Sequence, residues 1–268
     1  MYETTYHRPT TIDEAIRLVG DSGGEGKFLS GGMTLIPTMK QRLAAPSTLV
    51  DLRHVAELKG ITVNGRDIRI GGGTTHGEIA GHDGIRSACP GFAALAGLIG
   101  DVAVRHMGTI GGSVANNDPA ADYPAALKAL GATIHTSRRE MPADEFFVSL
   151  FETALEEDEI VTAVSFEAPE QCGYEKFRNP ASRYAMCGVF VAKRGNGVKV
   201  GVTGAGSNGT FRWEPAEQAL SLNFDGAAID DLSVDPSDML SDLHGSSDYR
   251  ANLVKVVTKR AVAKAQSH

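Results

Sequence analysis

The sequence predicts an α+β chain, and three features predict it. A capped helix, a glycine loop, a second helix and a short strand fill about the first 55 residues. An Asn-Gly turn between two β-type runs then opens a new sheet. Beyond Pro169 the pattern shifts to three strands followed by helices. A chain of 268 residues has length for two compact units, and 42% hydrophobic residues suffice for a core, so disorder is not the default. The expected division is residues 1–170, in lobes of about 1–55 and 56–170, and residues 171–268.

Each element has its own signal. Thr11-Ile12-Asp13-Glu14 has the S/T-x-x-E form of a capping box, and Ala15, Ile16, Leu18 and Val19 give an apolar stripe, which predicts a helix over about 12–19. Leu35 to Arg42 predicts a second, with Pro37 in its first turn, and Thr48 to Leu52 a strand. Ile61-Thr62-Val63 and Ile68-Arg69-Ile70 flank Asn64-Gly65, a pair suited to the positive φ of a type I′ turn. Helices are expected over Thr75 to Ala80, Gly91 to Ile99 and Ala125 to Leu130, then strands over Ala132 to His135 and Ile160 to Phe166 in the same sheet. The three C-terminal strands are Gly173 to Phe177, Met186 to Ala192 and Val198 to Val202, with Gly195-Asn196-Gly197 turning between the last two. Pro215 opens a helix through Leu222, residues 225–247 read as loop, and Asp248 to Gln266 has helical spacing.

Composition removes several functions. A net charge of −7 and a pI of about 5.6 argue against nucleic acid as partner. The polar start MYETTYHRP is no leader, and no apolar run reaches the ~18 residues of a membrane span, so the expected location is the cytoplasm. Cys89, Cys172 and Cys187 are odd in number and form no CxxC, which supports neither a disulfide framework nor a metal site. The eight histidines lack HxxxH and HExxH spacing.

Two glycine loops carry the chemistry. In TIGGSVANNDPAADYP, Thr109 to Pro124, an extended segment at Ile110 runs into Gly111-Gly112, backbone open to positive φ and to close approach. Bare amides suit phosphate oxygens, and Asp122 suits hydroxyls or a ring N–H. The pairing suggests an anionic, nucleotide-like cofactor. A plain turn joining two strands is the alternative for the glycines, and a cap on the following helix the alternative for Asp122. Ser30-Gly31-Gly32-Met33-Thr34-Leu35-Ile36-Pro37 forms a second donor-rich loop after Phe28-Leu29.

Two other motifs fail. Gly204-Ala205-Gly206-Ser207-Asn208-Gly209 matches GxGxxG with Asp225 about 20 residues on. A dinucleotide helix must start inside the glycines, whereas Thr210 to Trp213 intervene before Pro215 opens one; a surface turn is expected instead. After Gly26-Lys27 stands Phe28, where a phosphate loop needs Ser or Thr.

SGGMTLIP together with GDVAVRHMGTIGGSVANNDPAADYPAALKALGA, Gly100 to Ala132, resembles the FAD-binding medium subunit of the molybdenum hydroxylases, the xanthine dehydrogenase and aerobic carbon monoxide dehydrogenase family. The resemblance runs from about Tyr6 to the C-terminal helix. It implies a two-lobed FAD-binding domain of the vanillyl-alcohol-oxidase/PCMH type followed by a small three-stranded sheet with helices. By the same resemblance Ser30, Gly31, Gly32, Met33, Thr34 and Leu35 wrap the FAD pyrophosphate. Thr109, Ile110, Gly111, Gly112 and Ser113 contact phosphate, ribose or the flavin edge, and Asp122 is the family's cofactor-binding aspartate. Ile99 and Val161 line the ring, where core packing is the alternative. Lys176 sits near the flavin, with an exposed strand lysine as the alternative, and Tyr184 covers one face of the ring. Arg105 is a structural family arginine.

Two departures are visible. Met33 stands where some related oxidases carry a flavin-linking histidine, so the FAD is expected to be non-covalent. Arg183 stands where the family has an acid before the tyrosine.

The resemblance implies electron transfer from a partner's iron–sulfur cluster through FAD to an outside acceptor, with no catalytic acid or base on this chain. The implied partners are a large molybdenum-cofactor subunit and a small [2Fe-2S] subunit, in a dimer of heterotrimers. The alternatives are a self-contained FAD oxidase or reductase of the same fold, which needs its own proton donor, and a nucleotide-binding scaffold. Carbon monoxide, purines, aldehydes and N-heterocycles all stay open as the complex's substrate.

Overall fold

A computed structural model describes residues 3–267. In chain order the elements are β1 (Thr5–His7), α1 (Ile12–Gly20), β2 (Gly26–Leu29), α2 (Leu35–Lys40), β3 (Thr48–Asp51), β4 (Ile61–Asn64), β5 (Asp67–Gly71), α3 (His76–Gly81), α4 (Asp83–Ala88), α5 (Pro90–Gly97), α6 (Val102–Met107), α7 (Ile110–Asn116) and α8 (Tyr123–Leu130). They continue as β6 (Thr133–Thr136), β7 (Glu140–Pro142), α9 (Ala143–Phe146), β8 (Phe147–Ser149), β9 (Glu152–Thr153), β10 (Val161–Glu167), β11 (Gln171–Arg178), β12 (Ala185–Arg194), β13 (Gly197–Thr203), β14 (Phe211–Arg212), α10 (Glu214–Leu222) and α11 (Ser247–Gln266).

The first lobe is a parallel sheet in the order β1-β3-β2 with α1 packed on it. The Thr11 hydroxyl accepts from the Glu14 N–H at 3.2 Å and caps α1 as expected. The return bond goes one residue further back, from the Thr10 N–H to the Glu14 carboxylate at 2.9 Å. Ala15 and Val19 then bury against Val50, Leu52, Val55 and Leu58.

The second lobe is an antiparallel sheet in the order β4-β5-β10-β6-β7. The Ile160–Phe166 signal becomes β10, at its centre. The β4–β5 hairpin is present, but Asn64 pairs with Asp67 in the ladder, so the two turn residues are Gly65 and Arg66. Only Gly65, at φ +60°, takes the positive φ expected of both members of the pair. A single positive φ at the first turn residue is the II′ pattern rather than I′.

The third sheet is antiparallel, β11-β12-β13-β14, with α11 and α10 against it. It has four strands rather than the three expected, because Phe211–Arg212 adds a two-residue edge. The GxGxxG run is the β13–β14 connection, and no helix follows until Glu214. Only Ser207 and Asn208 of it are exposed, so the expected surface turn is half buried; it walls a side cavity of about 350 Å³.

One core serves the second lobe and the third sheet together. Phe92, Leu95, Ile110, Tyr123, Leu127 and Val164 pack in the same cluster as Cys172, Tyr174, Phe190 and Ala192. All three cysteines are buried free thiols, and Cys89 and Cys172 lie with their sulfurs 3.5 Å apart across this junction. Close backbone contact seals it: a Cβ on Gly201 of β13 would lie 2.0 Å from the Ala125 carbonyl oxygen of α8. On the other face, a Cβ on Gly173 of β11 would lie 2.1 Å from the Ala261 carbonyl oxygen of α11. Gly201→Val is therefore expected to destabilise the chain by on the order of 3 kcal/mol through overpacking. Gly197→Ala, whose added carbon meets only the Arg194 carbonyl at 3.5 Å, should be close to neutral in the same urea-unfolding measurement.

Candidate functional site

Between the two lobes lies a cleft of about 780 Å³, within the ~300–1,000 Å³ usual for ligand sites. All the residues expected to contact the cofactor line it except Ile110, and the structural Arg105 stands outside it as well. The Ile110 side chain is fully buried in the core and its N–H donates to the Thr74 carbonyl at 3.0 Å, so it supports the wall from behind.

The Ser30–Leu35 loop turns sharply and leaves backbone donors unpaired. Gly32 sits at φ +72°, so the chain doubles back after β2 before α2 begins. The N–H groups of Gly31, Gly32, Met33 and Thr34 have no hydrogen-bond partner among the described residues. Four consecutive free amides in a loop that lines the cleft suit an anion.

The Thr109–Ser113 stretch behaves differently. Thr109 is extended, but Ile110-Gly111-Gly112 is the first turn of α7, not a turn between strands. Its amides are engaged: Gly111 donates to the Gly72 carbonyl at 2.8 Å and Gly112 to the Thr109 hydroxyl at 3.1 Å. Gly111 is bare because another backbone lies there; a Cβ would meet the Gly72 oxygen at 2.6 Å. Gly31 has the same cause, its Cβ falling 2.2 Å from the Met107 oxygen. The two loops are joined at their hydroxyls, Ser30 Oγ to Thr109 Oγ1, 2.8 Å.

Asp122 stands at the N-cap position of α8, but its side chain makes no capping hydrogen bond. Its carboxylate accepts from Lys176 Nζ at 2.9 Å and, through the other oxygen, from the Tyr174 hydroxyl. Burial pushes the Asp122 carboxyl up from its ordinary range, against the downward pull of Lys176 and Tyr174. Lys176 is not an exposed strand lysine: its side chain is 2% exposed and also donates to the Leu98 carbonyl at 3.3 Å. Burial raises the Tyr174 hydroxyl well above its usual range, so it keeps its proton and donates.

Ile99 and Val161 supply apolar wall, and Val161 belongs to the core as well. Arg105 holds the Ile99-Gly100 turn by donating to both carbonyls, at 3.0 and 3.3 Å, which is the structural role expected. Tyr184, half exposed, hangs at the cleft from a tight loop in which Arg183 takes φ +62°.

Several lining residues escaped the sequence reading. Gly72 and Gly73 belong to a third glycine run, Gly71 to Gly73, whose signal was present in the sequence. Asp118, Glu156, Glu157 and His76 had no distinguishing pattern. His76 is buried, its Nδ1 3.1 Å from the Tyr123 hydroxyl, and burial with the nearby Arg105 charge lowers its pKa to about 4. It is neutral near pH 7.

A histidine with a folded pKa below its unfolded 6.5 binds fewer protons folded than unfolded between those values, so stability falls as pH drops through that window and is flat above it. The loss at the acid end is about 3 kcal/mol. His76→Gln should remove this slope from the chain's unfolding free energy measured between pH 4 and 6.5.

The residues present fit FAD: the cleft is lined by free amides suited to a pyrophosphate and by apolar and aromatic wall with a buried lysine suited to a flavin ring. Residues 2–168 match the family model described as the FAD binding domain in molybdopterin dehydrogenase. The carbon monoxide dehydrogenase medium chain of Afipia carboxidovorans is 33% identical, over 98% of this chain and 96% of that one. The nicotine 6-hydroxylase medium subunit of Paenarthrobacter nicotinovorans is 31% identical, over 97% and 96%. The fold superposes on a chain of reconstituted CO dehydrogenase from Oligotropha carboxidovorans with a TM-score of 0.89 at 32% identity, covering 100% of this chain and 99% of that one. Motif, cleft and whole-chain similarity agree, and the chain belongs to the family of FAD-binding medium subunits of the molybdenum hydroxylases, oxidoreductase subunits whose cofactor is FAD.

Proposed function

We propose that this chain is the electron-relaying subunit of a molybdenum hydroxylase. It would couple a small [2Fe-2S] partner to an external acceptor, while a large molybdenum-cofactor partner oxidises the substrate, the whole forming a dimer of heterotrimers. The observation that carries the reading is one cleft lined both by a loop of free amides and by the Lys176–Asp122 pair. Relatives along nearly the full chain are by name medium chains or subunits of such enzymes, which supports the setting.

Bound FAD supplies redox chemistry, accepting and releasing one or two electrons. The Gly31–Thr34 amides would hold its pyrophosphate, with the shared hydroxyls of Ser30 and Thr109 fixing the loop. Lys176 brings a buried positive charge to the cleft, and Asp122 balances it, so the site favours added negative charge without a mobile proton. His76 is neutral with its Nδ1 at the Tyr123 hydroxyl, which does not favour it as the proton donor that a rival self-contained oxidase or reductase would need.

Co-expression with the neighbouring genes tests the reading directly. The chain should co-elute with molybdenum- and iron-bearing partners, and its oxidised-flavin absorbance should bleach when the complex's substrate is added without acceptor. An unchanged spectrum would overturn it. Within the site, Ser30→Ala and Thr109→Val should each weaken FAD retention, with a coupling of about 1 kcal/mol in a double-mutant cycle on the FAD dissociation constant. Additive effects would show that the hydroxyl bridge does not order the loop.

A further inference from the structure

Tyr174 lies in the core, 1% exposed, on β11 two residues before Lys176. It does not line the cleft, yet its hydroxyl donates to the carboxylate that holds the cleft's buried lysine. The fold makes room for that hydroxyl: on the paired strand β12, a Cβ on Gly188 would lie 2.5 Å from the Tyr174 oxygen. A glycine there has no turn to make, since it sits inside a regular ladder facing Lys176. Its bareness serves the tyrosine.

Resting on the flavin reading above, we propose that Tyr174 is a positioning residue for the flavin site: it pins Asp122, and Asp122 pins Lys176 at the wall of the cleft. Each oxygen of the Asp122 carboxylate has one donor, Tyr174 on Oδ1 and Lys176 on Oδ2. Without the phenol the carboxylate is free to turn, and a buried anion short of a donor takes up a proton more readily. The other groups that face it are Asp118 from the preceding turn, Tyr184 from the rim and the adjacent Tyr123. Of these only Asp118 brings charge of its own near neutrality, and that charge also favours protonation of Asp122.

The test uses Tyr174→Phe and Gly188→Ala, the first deleting the hydroxyl and the second displacing it while leaving it in the chain. In the flavin-free full chain, acetylation of Lys176 followed by mass spectrometry should be about tenfold faster in both variants than in the wild type. In the assembled complex, the midpoint potential of bound FAD plotted against pH should show the Asp122 break moved up by about one pH unit. Unchanged labelling and an unchanged potential profile in variants that retain flavin would overturn the assignment. If the wild-type chain takes up no flavin, the functional reading fails, while the labelling arm still decides whether Tyr174 holds Lys176. Should Tyr174→Phe fail to fold, Gly188→Ala paired with Thr203→Val as a control decides, because the added carbon meets the Tyr174 oxygen at 2.5 Å and the Thr203 methyl at 3.0 Å, and faster labelling in Gly188→Ala but not in Thr203→Val traces to the phenol.

Discussion

The structure depends on backbone lying directly on backbone where its glycine runs meet. Gly111 at the start of α7 donates to Gly72 just past β5, and Gly31 in the first lobe lies against Met107 and Gly108. None of these contacts tolerates a Cβ. The Gly111 contact fixes the cleft's wall within the second lobe, and the Gly31 contact sets how closely the first lobe approaches the second, and so the width of the cleft. They also divide the glycines into two kinds. Those of the Ser30–Leu35 loop leave amides free for a ligand, whereas those of Thr109–Gly112 spend their amides holding the protein together.

That division explains what was legible in the sequence. A glycine pair announces close approach, but not whether a cofactor or another strand approaches, and the TIGG stretch was open to both. Elements with caps or strong alternation, such as α1, β10 and α11, were read to within a residue or two. The six-residue helices α4 and α6 were missed, because so short a helix shows less than two turns of periodicity. Strand β14 contributes only Phe211–Arg212, too short to alternate, and exists because β13 offers it an edge. The Gly71–Gly73 run has no local meaning, since Gly111, which packs directly on Gly72, is some forty positions away in sequence.

Asp122 and Lys176 were found by motif resemblance, and their pairing was not. They are 54 residues apart, on different domains of the expected division, and nothing local couples them. A carboxylate in a cofactor cleft suggests a direct ligand. Here it is first a counterion: a buried lysine without it would be an uncompensated charge. Tyr174 left no trace in the sequence beyond an aromatic residue on a strand, because its importance comes from Gly188 across the ladder.

The contact between Gly201 and Ala125 joins α8, from the FAD-binding region, to a strand of the last sheet. Chimeras built from two relatives by crossing over near residue 170 would bring together a helix and a strand surface that evolved with different partners. A workable exchange should instead take α8, the helices and strands it packs on in the second lobe, and the C-terminal sheet from one parent. The parts of this chain that can be traded independently are those that share no core.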